Sequence, residues 1–484
     1  MAESFRVAII GAGIGGLGLA SRLLRDGERS VVLLEKEQAV GGTWRDNTYP
    51  GASCDVESHL YWYSFDEQPD WSRIYAFQPE IQANVEGFVE REGLAQHLRL
   101  GAEVQSARWD EGRARWLVTT TAGDEVEAQV LVTAWGQLNR PSFKGVPGRE
   151  RFAGPSFHSA RWDHDVDLTG RVACVGNGAS AVQLVPEVAE TAAHLTIFQR
   201  TPNYHVPRED RPYDDAERER FRQRDELMAS RQAYFEEHEG WMGAMKLEDN
   251  PVAEEFTRVA REHLDTQVSD PALRERLWPD YPIGCKRLLI TDTYLPTLTR
   301  DNVELVTDKI DTVEATGVRT ADGTLHEADV IIYSTGFETL SFLGALDVRG
   351  RDGLALQDAW KQGPQAYLGM NVAGFPNLFM LYGPNTNLGH NSIIAMMECQ
   401  YDYILQALAA ADGRALDVRP EVMATYNDQL QSELAGSSFS GSCNSWYKTP
   451  EGRVTNNWSG SVEEYRARTS RFALDDYELL APAT

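Results

Sequence analysis

Cysteine is scarce in this chain. Five are present, Cys54, Cys174, Cys285, Cys399 and Cys443, scattered and without metal-ligand spacing. The sequence therefore predicts neither a disulfide framework nor a zinc or other metal site, and a reduced cytoplasm is the expected compartment. Long hydrophobic runs are missing as well. No stretch of about 18 apolar residues occurs, which leaves no helix to span a membrane. The polar residues 1–6 run straight into an apolar segment, without room for a signal peptide. Positive charge is short: 46 Lys and Arg stand against 73 Asp and Glu, a formal net charge of −27. That balance speaks against nucleic acid or an anionic membrane surface as partner, because both need a basic face. Otherwise such a charge decorates a solvated surface and says little about fold. No repeat is found beyond one pair of motifs.

What is there is ordinary globular composition, 42% apolar and 25% charged, in 484 residues. That length is long for one core and implies two or three domains. Residues 6–10 (RVAII) read as a buried strand, followed at once by Gly11–Gly16 (GAGIGG), a helix over 17–24, and a second strand over 30–34 ending at Glu35. Strand, G-x-G-x-x-G, helix, strand and acid form a full dinucleotide fingerprint. Gly11 makes the tight turn, Gly13 lets backbone approach a pyrophosphate, Gly16 lets helix pack on strand, and Glu35 can accept from a ribose hydroxyl. Residues 41–55 (GGTWRDNTYPGASCD) form a loop near that site. Trp44 is its large flat group. Asp55 precedes an aromatic run (Tyr61, Trp62, Tyr63, Phe65). It reads either as a turn cap, the commoner role, or as a buried carboxylate in need of a partner.

Further on, residues 78–97 predict one or two helices, 104–128 a β-meander, and 130–133 a strand ending at Ala134-Trp135-Gly136. Residues 137–147 mark a boundary. A second unit follows: strand 171–175, then G-x-G-x-x-A at Gly176, Gly178 and Ala181, a helix, and strand 195–198 ending at Gln199-Arg200-Thr201. Arg200 stands where the first unit has Glu35. An arginine there suits the 2′-phosphate of NADP, whereas an acid suits a free ribose, so FAD is expected in the first fold and NADPH in the second. A plain surface arginine is the alternative. Residues 211–279 predict a helical insert, a lid or wall. Lys286 and Arg287 sit among apolar neighbours, a costly place for charge without a partner. Strands are expected over 303–306, 313–320, 327–333 and 375–382, and a helix over 391–410. The Asn-rich tail 443–458 reads as too polar for core, folding over a site. The fold class is thus α/β, with two Rossmann-like dinucleotide-binding domains and a helical insert in the second.

Between the two glycine loops lies FAGPSFHSARWD, residues 152–163. It resembles the F-x-G-x-x-x-H-x-x-x-W-[PD] fingerprint of type I Baeyer–Villiger monooxygenases, class B flavoproteins, through Phe152, Gly154, His158, Trp162 and Asp163. Residues 41–55 resemble that family's G-G-x-W-x-x-x-x-Y-P-G-x-x-x-D signature, and the resemblance runs from about residue 6 to 458. It implies an FAD-dependent, NADPH-consuming enzyme that inserts one atom of O2 beside a ketone carbonyl through a C4a-peroxyflavin, giving an ester or lactone. A sibling that oxygenates nitrogen or sulfur is the alternative, and a flavoprotein that binds both cofactors without oxygenating is a third. Arg287 matches the family's active-site arginine and Asp55 the carboxylate that orients it. Gly11, Gly13, Gly16, Glu35, Gly42, Thr43, Trp44, Tyr61, Val104 and Ile393 match FAD positions. Ser53, Cys54, Asp55, Gly176, Gly178, Ser180, Ala181, Arg200, Thr201, Lys286, Arg287 and Trp446 match NADP positions. His158 reads as a hinge or hydrogen-bonding residue rather than a catalytic base. The implied division is FAD-binding over 1–139 and 335–484, NADP-binding over 140–210 and 281–334, and the insert over 211–280. A monomer or homodimer is expected. Trp135 departs from the small residue usual at that strand end. The tail resembles the hydroxyacetophenone-monooxygenase-like branch, which leans toward aryl or bulky cyclic ketones.

Overall fold

The computed structural model describes residues 3–248, 250–340, 342 and 346–480; residues 1–2, 249, 341, 343–345 and 481–484 of the expected segments lie outside them. Strand Glu3–Ile10 is buried throughout its second half, as a parallel strand covered on both faces must be. It pairs in parallel with Val31–Leu34 on one side and Glu125–Thr133 on the other. Helix Ile14–Arg25 buries Ile14, Leu17, Ala20 and Leu24 at helical spacing, which presses one apolar face onto this sheet. The sheet is 8-stranded. Its antiparallel part is the meander Val104–Asp110, Arg115–Thr120 and Glu125–Thr133, and the late strand Leu378–Met380 returns to pair with Glu125–Thr133.

A second, 5-stranded sheet is wholly parallel, in the order Val303–Val306, His194–Phe198, Arg171–Val175, Val330–Tyr333, Ser156–His158. Helix Ala179–Thr191 follows its central strand. In both sheets the glycine loop leaves the carboxyl end of a central strand, where open α/β sheets bind ligands. Two long strand expectations divide. The 313–320 run breaks into Ile310–Glu314 and Gly317–Thr320, paired antiparallel. The 327–333 run splits between a small sheet (Leu325–Glu327) and the parallel one (Val330–Tyr333), because the backbone at Asp329 turns to bond Arg171 O at 2.8 Å.

The insert contains helices Asp215–Phe221, Arg224–Gly240, Pro251–Gln267 and Pro271–Leu277. It is shared between the two nucleotide folds. Phe221, Leu227, Phe235, Met242 and Met245 join the core that also holds Ile14 and the long helix Ile393–Ala411. Leu264, Val268 and Leu277 join the core of the second sheet. Among the described residues, no helix is long and apolar enough to cross a membrane.

The tail overturns its sequence reading. Val454, Thr455, Asn456, Asn457 and Trp458 are at most 2% exposed. The segment runs alongside residues 385–387: Asn385 N–H donates to Thr455 O and Asn387 N–H to Asn456 O, both at 2.9 Å. Asn385 Nδ2 donates to Val454 O and Asn457 O, and Asn387 Nδ2 to Asn457 Oδ1. The asparagines are buried because they hydrogen-bond one another and the backbone, which removes most of the penalty that polarity alone would impose.

Candidate active site

The two glycine loops have matching geometry. Gly11 and Gly176 take φ of +106° and +112°. A Cβ on either would lie 2.6 Å and 2.3 Å from the carbonyl oxygens of Ala134 and Ser334, at the ends of neighbouring strands. Helices Ile14–Arg25 and Ala179–Thr191 begin at Gly13 and Gly178 with no side-chain cap. Their first N–H groups are thus left for an anion. A Cβ on Gly178 would meet nothing within 4 Å, so only an incoming group can require glycine there. Both sites fit a pyrophosphate.

Around them the folds differ. Glu35 is buried, accepts from Ala12 N–H at 2.8 Å and Glu37 N–H at 3.0 Å, and pairs with Arg45 at 3.1 Å. Gly42 opens the short helix Thr43–Asp46, with Thr43 exposed and Trp44 buried. Trp44 Nε1–H donates to Tyr61 Oη at 3.3 Å. Val104 is half-buried at the start of the meander, and Ile393 is half-buried at the head of its helix. In the second fold Arg200 is exposed, Ser180 half-buried and Ala181 buried. The Lys286 ammonium donates to Thr201 Oγ1. Burial, and next the Arg200 charge, pull its pKa down to about 8. Two cations and a hydroxyl so gathered suit a phosphate.

Between the folds lies the charged pair. Arg287 Nε and Nη2 donate to a single oxygen, Asp55 Oδ2, at 2.8 Å and 2.5 Å. Each side chain keeps about a third of its surface open, 32% for Arg287 and 30% for Asp55. Burial opposes the Asp55 charge, but the Arg287 charge and hydrogen bonds, aided by Arg208, bring the carboxyl below its usual range. The Asp55 charge raises Arg287 in turn. The turn-cap reading of Asp55 therefore yields to the paired one. The loop carrying Asp55 is bolted in place. Cys54 N–H bonds Ala76 O at 3.0 Å. From the second fold's helix, the Gln183 amide donates to Ser53 O at 3.0 Å and accepts from Tyr49 Oη–H at 2.9 Å. Cys54 is buried, which raises its thiol pKa and leaves it unreactive.

Asp55 and Arg287 line a narrow pocket whose remaining walls include Trp241, Met245, Phe256, Leu288 and His390. Trp241 and Met245 follow the insert helix Arg224–Gly240, and Phe256 lies on helix Pro251–Gln267. The insert is therefore a wall of this cavity. His238 also lines it; its Nε2 meets Glu57 Oε2 at 2.7 Å, and Tyr75 Oη–H donates to Glu57 Oε1 at 2.9 Å.

The fingerprint stretch stands apart from this chemistry. His158 is 2% exposed. Its Nε2 lies 3.0 Å from Gly336 O, its Nδ1 accepts from Ala160 N–H, and burial brings its pKa down to about 4. Both nitrogens are engaged on a neutral ring, which leaves no base. Phe152 packs against the second fold's core. A Cβ on Gly154 would come within 2.5 Å of Asp329 O. Trp162 packs edge-on against Phe157, and Asp163 accepts from Asp165 N–H at 3.1 Å. Trp446 is half-buried against Tyr447, with its carbonyl accepting from Thr339 Oγ1. Trp135 packs on the first sheet's outer core.

One expectation is corrected outright. Cys285 and Cys443 form a disulfide across 158 residues, although their spacing carries no sign of one. It ties the residue before Lys286-Arg287 to the tail that bears Trp446. Arg208, Glu57, His238 and His390 were also missed. Arg208 donates to Ser53 Oγ and Cys54 O, both at 3.0 Å. A lone arginine, glutamate or histidine carries no local periodicity, so only the fold reveals these four.

Comparison with known proteins bears on this arrangement. A family model described as an NAD(P)-binding Rossmann-like domain matches residues 9–77. A Baeyer–Villiger monooxygenase of Streptomyces coelicolor is 42% identical, covering 99% of this chain and 94% of that protein. One from Pseudomonas aeruginosa is also 42% identical, over 99% and 92%. The chain belongs to the Baeyer–Villiger monooxygenase family. Among solved structures, a steroid monooxygenase bound to NADP aligns with a TM-score of 0.86 at 33% identity over 99% of both chains. Cyclohexanone monooxygenase from Rhodococcus sp. Phi1 bound to NADP+ aligns with a TM-score of 0.89 at 30% identity, over 99% of this chain and 100% of that one. As a member of the family this chain is a flavoprotein monooxygenase, with FAD and NADP as its cofactors.

Proposed function

We propose that the protein uses NADPH and O2 to convert ketones to esters or lactones, with Arg287 as its catalytic residue and Asp55 as the residue that positions it. The Arg287–Asp55 pair on the wall of a cavity between two nucleotide folds carries this reading. The chemistry FAD would supply when bound is the activation of O2, one atom of which ends in the product and the other in water. The chain's own residues do the rest. Asp55 engages Nε and Nη2 and so fixes the plane of the guanidinium, leaving Nη1 with no hydrogen bond among the described residues. A fixed cation there favours an anionic oxygen nucleophile and the oxyanion that develops when a carbonyl is attacked. Oxygenation of nitrogen or sulfur needs an electrophilic oxygen donor instead, which a neighbouring cation does not favour. Glu35 and the first loop would hold FAD. Arg200, Thr201 and Lys286 would hold the NADP phosphate, and Trp446 would lie by its nicotinamide half. The apolar and aromatic walls support bulky cyclic or aryl ketones.

The test is a panel of ketones, thioethers and amines scored by mass for a one-oxygen gain, run beside Arg287→Ala. Ketones should gain oxygen. The variant should still oxidise NADPH while product formation falls roughly 10²–10³-fold. Gain on thioethers or amines alone, or undiminished ester from the variant, overturns the proposal. A monomer or homodimer in the cytoplasm is the proposed setting. A buried disulfide is unusual in that compartment, and thiol titration of freshly isolated protein checks it.

A further inference from the structure

Arg287 and Arg208 reach the same loop of the first fold from one ribbon. Strand His205–Val206 pairs in parallel with Leu289–Ile290. Leu289 N–H donates to Tyr204 O at 3.1 Å and Thr291 N–H to Val206 O at 3.0 Å. Arg287 precedes one strand of this ribbon by two residues, and Arg208 follows the other by two. Backbone hydrogen bonds fix the register of such a pair, so the two arginines move as one body. Between them they take hold of three successive residues. Arg287 engages Asp55 Oδ2, while Arg208 Nη2 donates to Ser53 Oγ and to Cys54 O, both at 3.0 Å. Arg208 is itself held from behind. Its backbone N–H donates to Asp292 Oδ1 at 2.9 Å, and that of Glu209 to Asp292 Oδ2 at 2.8 Å. Its guanidinium lies 5.1 Å from the centroid of the Tyr75 ring, within reach of a cation–π attraction.

Two observations set this contact apart from ordinary packing. Gln183 already ties the loop to the second fold's helix, at Ser53 O and Tyr49, so attachment does not depend on Arg208. The Arg208 Nε is also buried with no hydrogen bond among the described residues. A buried donor left unpaired costs free energy, so stability alone does not account for an arginine here. What Arg208 adds, and Gln183 cannot, is a permanent positive charge. Burial opposes the Asp55 charge, and Arg208 is the cation that, after Arg287, offsets it and keeps the carboxyl below its usual range. The other titratable groups facing Asp55 are the Cys54 thiol and the phenols of Tyr49, Tyr61, Tyr382 and Tyr447. Burial raises all of them, so they stay neutral through the acid range. His238 and His390 line the pocket with Asp55, and His238 is bonded to Glu57.

We propose that Arg208 is a positioning residue for the oxygenation: it registers the Asp55 loop against the ribbon that carries Arg287 and places a second positive charge beside the carboxylate, so that the Arg287 guanidinium stays fixed through turnover. This deepens the ketone reading and rests on it.

The experiment compares wild type, Arg208→Gln and Arg208→Lys on a ketone that the wild type converts. It measures ester formed, NADPH consumed, the thermal midpoint and the pH profile of kcat for ester formation. Glutamine removes the charge, whereas lysine keeps the charge and loses the planar fork. Arg208→Gln should consume NADPH within about twofold of the wild-type rate while kcat for ester falls roughly tenfold, so that ester per NADPH drops with it. The acid limb of its profile should move to higher pH, because Asp55 takes up a proton sooner once a neighbouring cation is withdrawn. In Arg208→Lys the limb should stay at its wild-type position, and part of the lost ester per NADPH should return. Unchanged ester per NADPH in Arg208→Gln, or an acid limb that does not move, overturns the assignment while leaving the ketone reading intact. A parallel fall of NADPH consumption, ester formation and thermal midpoint in both variants makes Arg208 a structural tie and overturns it as well. If the wild type makes ester from no ketone, the parent reading falls and the proposal with it.

Discussion

The two dinucleotide folds share a plan and differ in how much of the ligand grip the protein satisfies by itself. In the first, Glu35 is buried and already holds two backbone N–H groups and Arg45, and Gly13 packs 3.6 Å from Gly42 measured from its would-be Cβ. In the second, Arg200 is exposed, Gly178 faces open space, and Lys286 pairs with no carboxylate among the described residues. A preformed, internally bonded grip suits a cofactor that stays. A grip of spare cations and open backbone suits one that arrives and leaves with each turnover, because its charges are complemented only while the phosphate is present.

The two grips part most widely when one methyl group is added to each loop. Gly11→Ala meets a carbonyl oxygen at 2.6 Å with φ at +106°, a clash plus strain of roughly 3 kcal/mol or more. No folded, flavin-containing protein should be recovered. Gly178→Ala, at φ −83° with nothing within 4 Å, should leave the thermal midpoint where it was while raising KM for NADPH about tenfold. Unchanged NADPH binding would mean that the open space there is not the pyrophosphate approach.

Next in size are the cations. Arg200→Ala and Lys286→Ala should each raise KM for NADPH by roughly 10- to 100-fold, with little change toward NADH, if as proposed each removes a charge-assisted contact to a phosphate that NADH lacks. Equal losses with both nucleotides would detach these residues from the 2′-phosphate.

A smaller effect follows pH. Lys286 sits at about 8, lowered chiefly by burial and then by Arg200. Below that pH it is charged and attracts phosphate; above it the charge is lost. KM for NADPH should climb roughly three- to tenfold from about pH 7 to pH 9. Lys286→Arg, charged throughout, should flatten the profile in steady-state assays, and a slope that persists in the variant assigns it to another group.

Least for turnover, though not for stability, is the tie between the folds. Opening the Cys285–Cys443 link releases a loop of 158 residues, worth on the order of 5 kcal/mol at most by loop entropy. Cys443→Ser should lower the thermal midpoint by several degrees, and dithiothreitol should do the same to the wild type but not to the variant. Identical melting of both proteins under oxidising conditions would show that the link bears no load.

Much of the fold was legible because its signals are contiguous. The glycine loops require φ near +110° and close backbone approach at fixed offsets from a buried strand, so they are written within a few residues of one another. The asparagine tail misled for the opposite reason. Its polarity was visible, but the partners that satisfy much of it, Asn385 and Asn387, lie some 70 positions away. The single strand expected over 313–320 broke because Gly317 starts the return strand of a tight hairpin, which the apolar pattern does not distinguish from a continuous run.

By itself the sequence determined the strands and helices that carry the nucleotide loops, the identity of the charges flanking them, and the family fingerprint. These follow from local backbone sterics and hydrophobic periodicity. The meeting of Arg287 and Asp55 across 232 positions is expected from the family resemblance and takes its geometry from the fold, whereas the tertiary structure alone decided that Glu57 meets His238 across 181 and that two of five cysteines are joined. It also decided that both ring nitrogens of His238 are engaged, by Glu57 and by His390 O. Such pairings depend on how separately folded layers dock. A side chain's protonation, spare hydrogen bonds and access are set by neighbours that docking brings in, and no spacing along the chain records them.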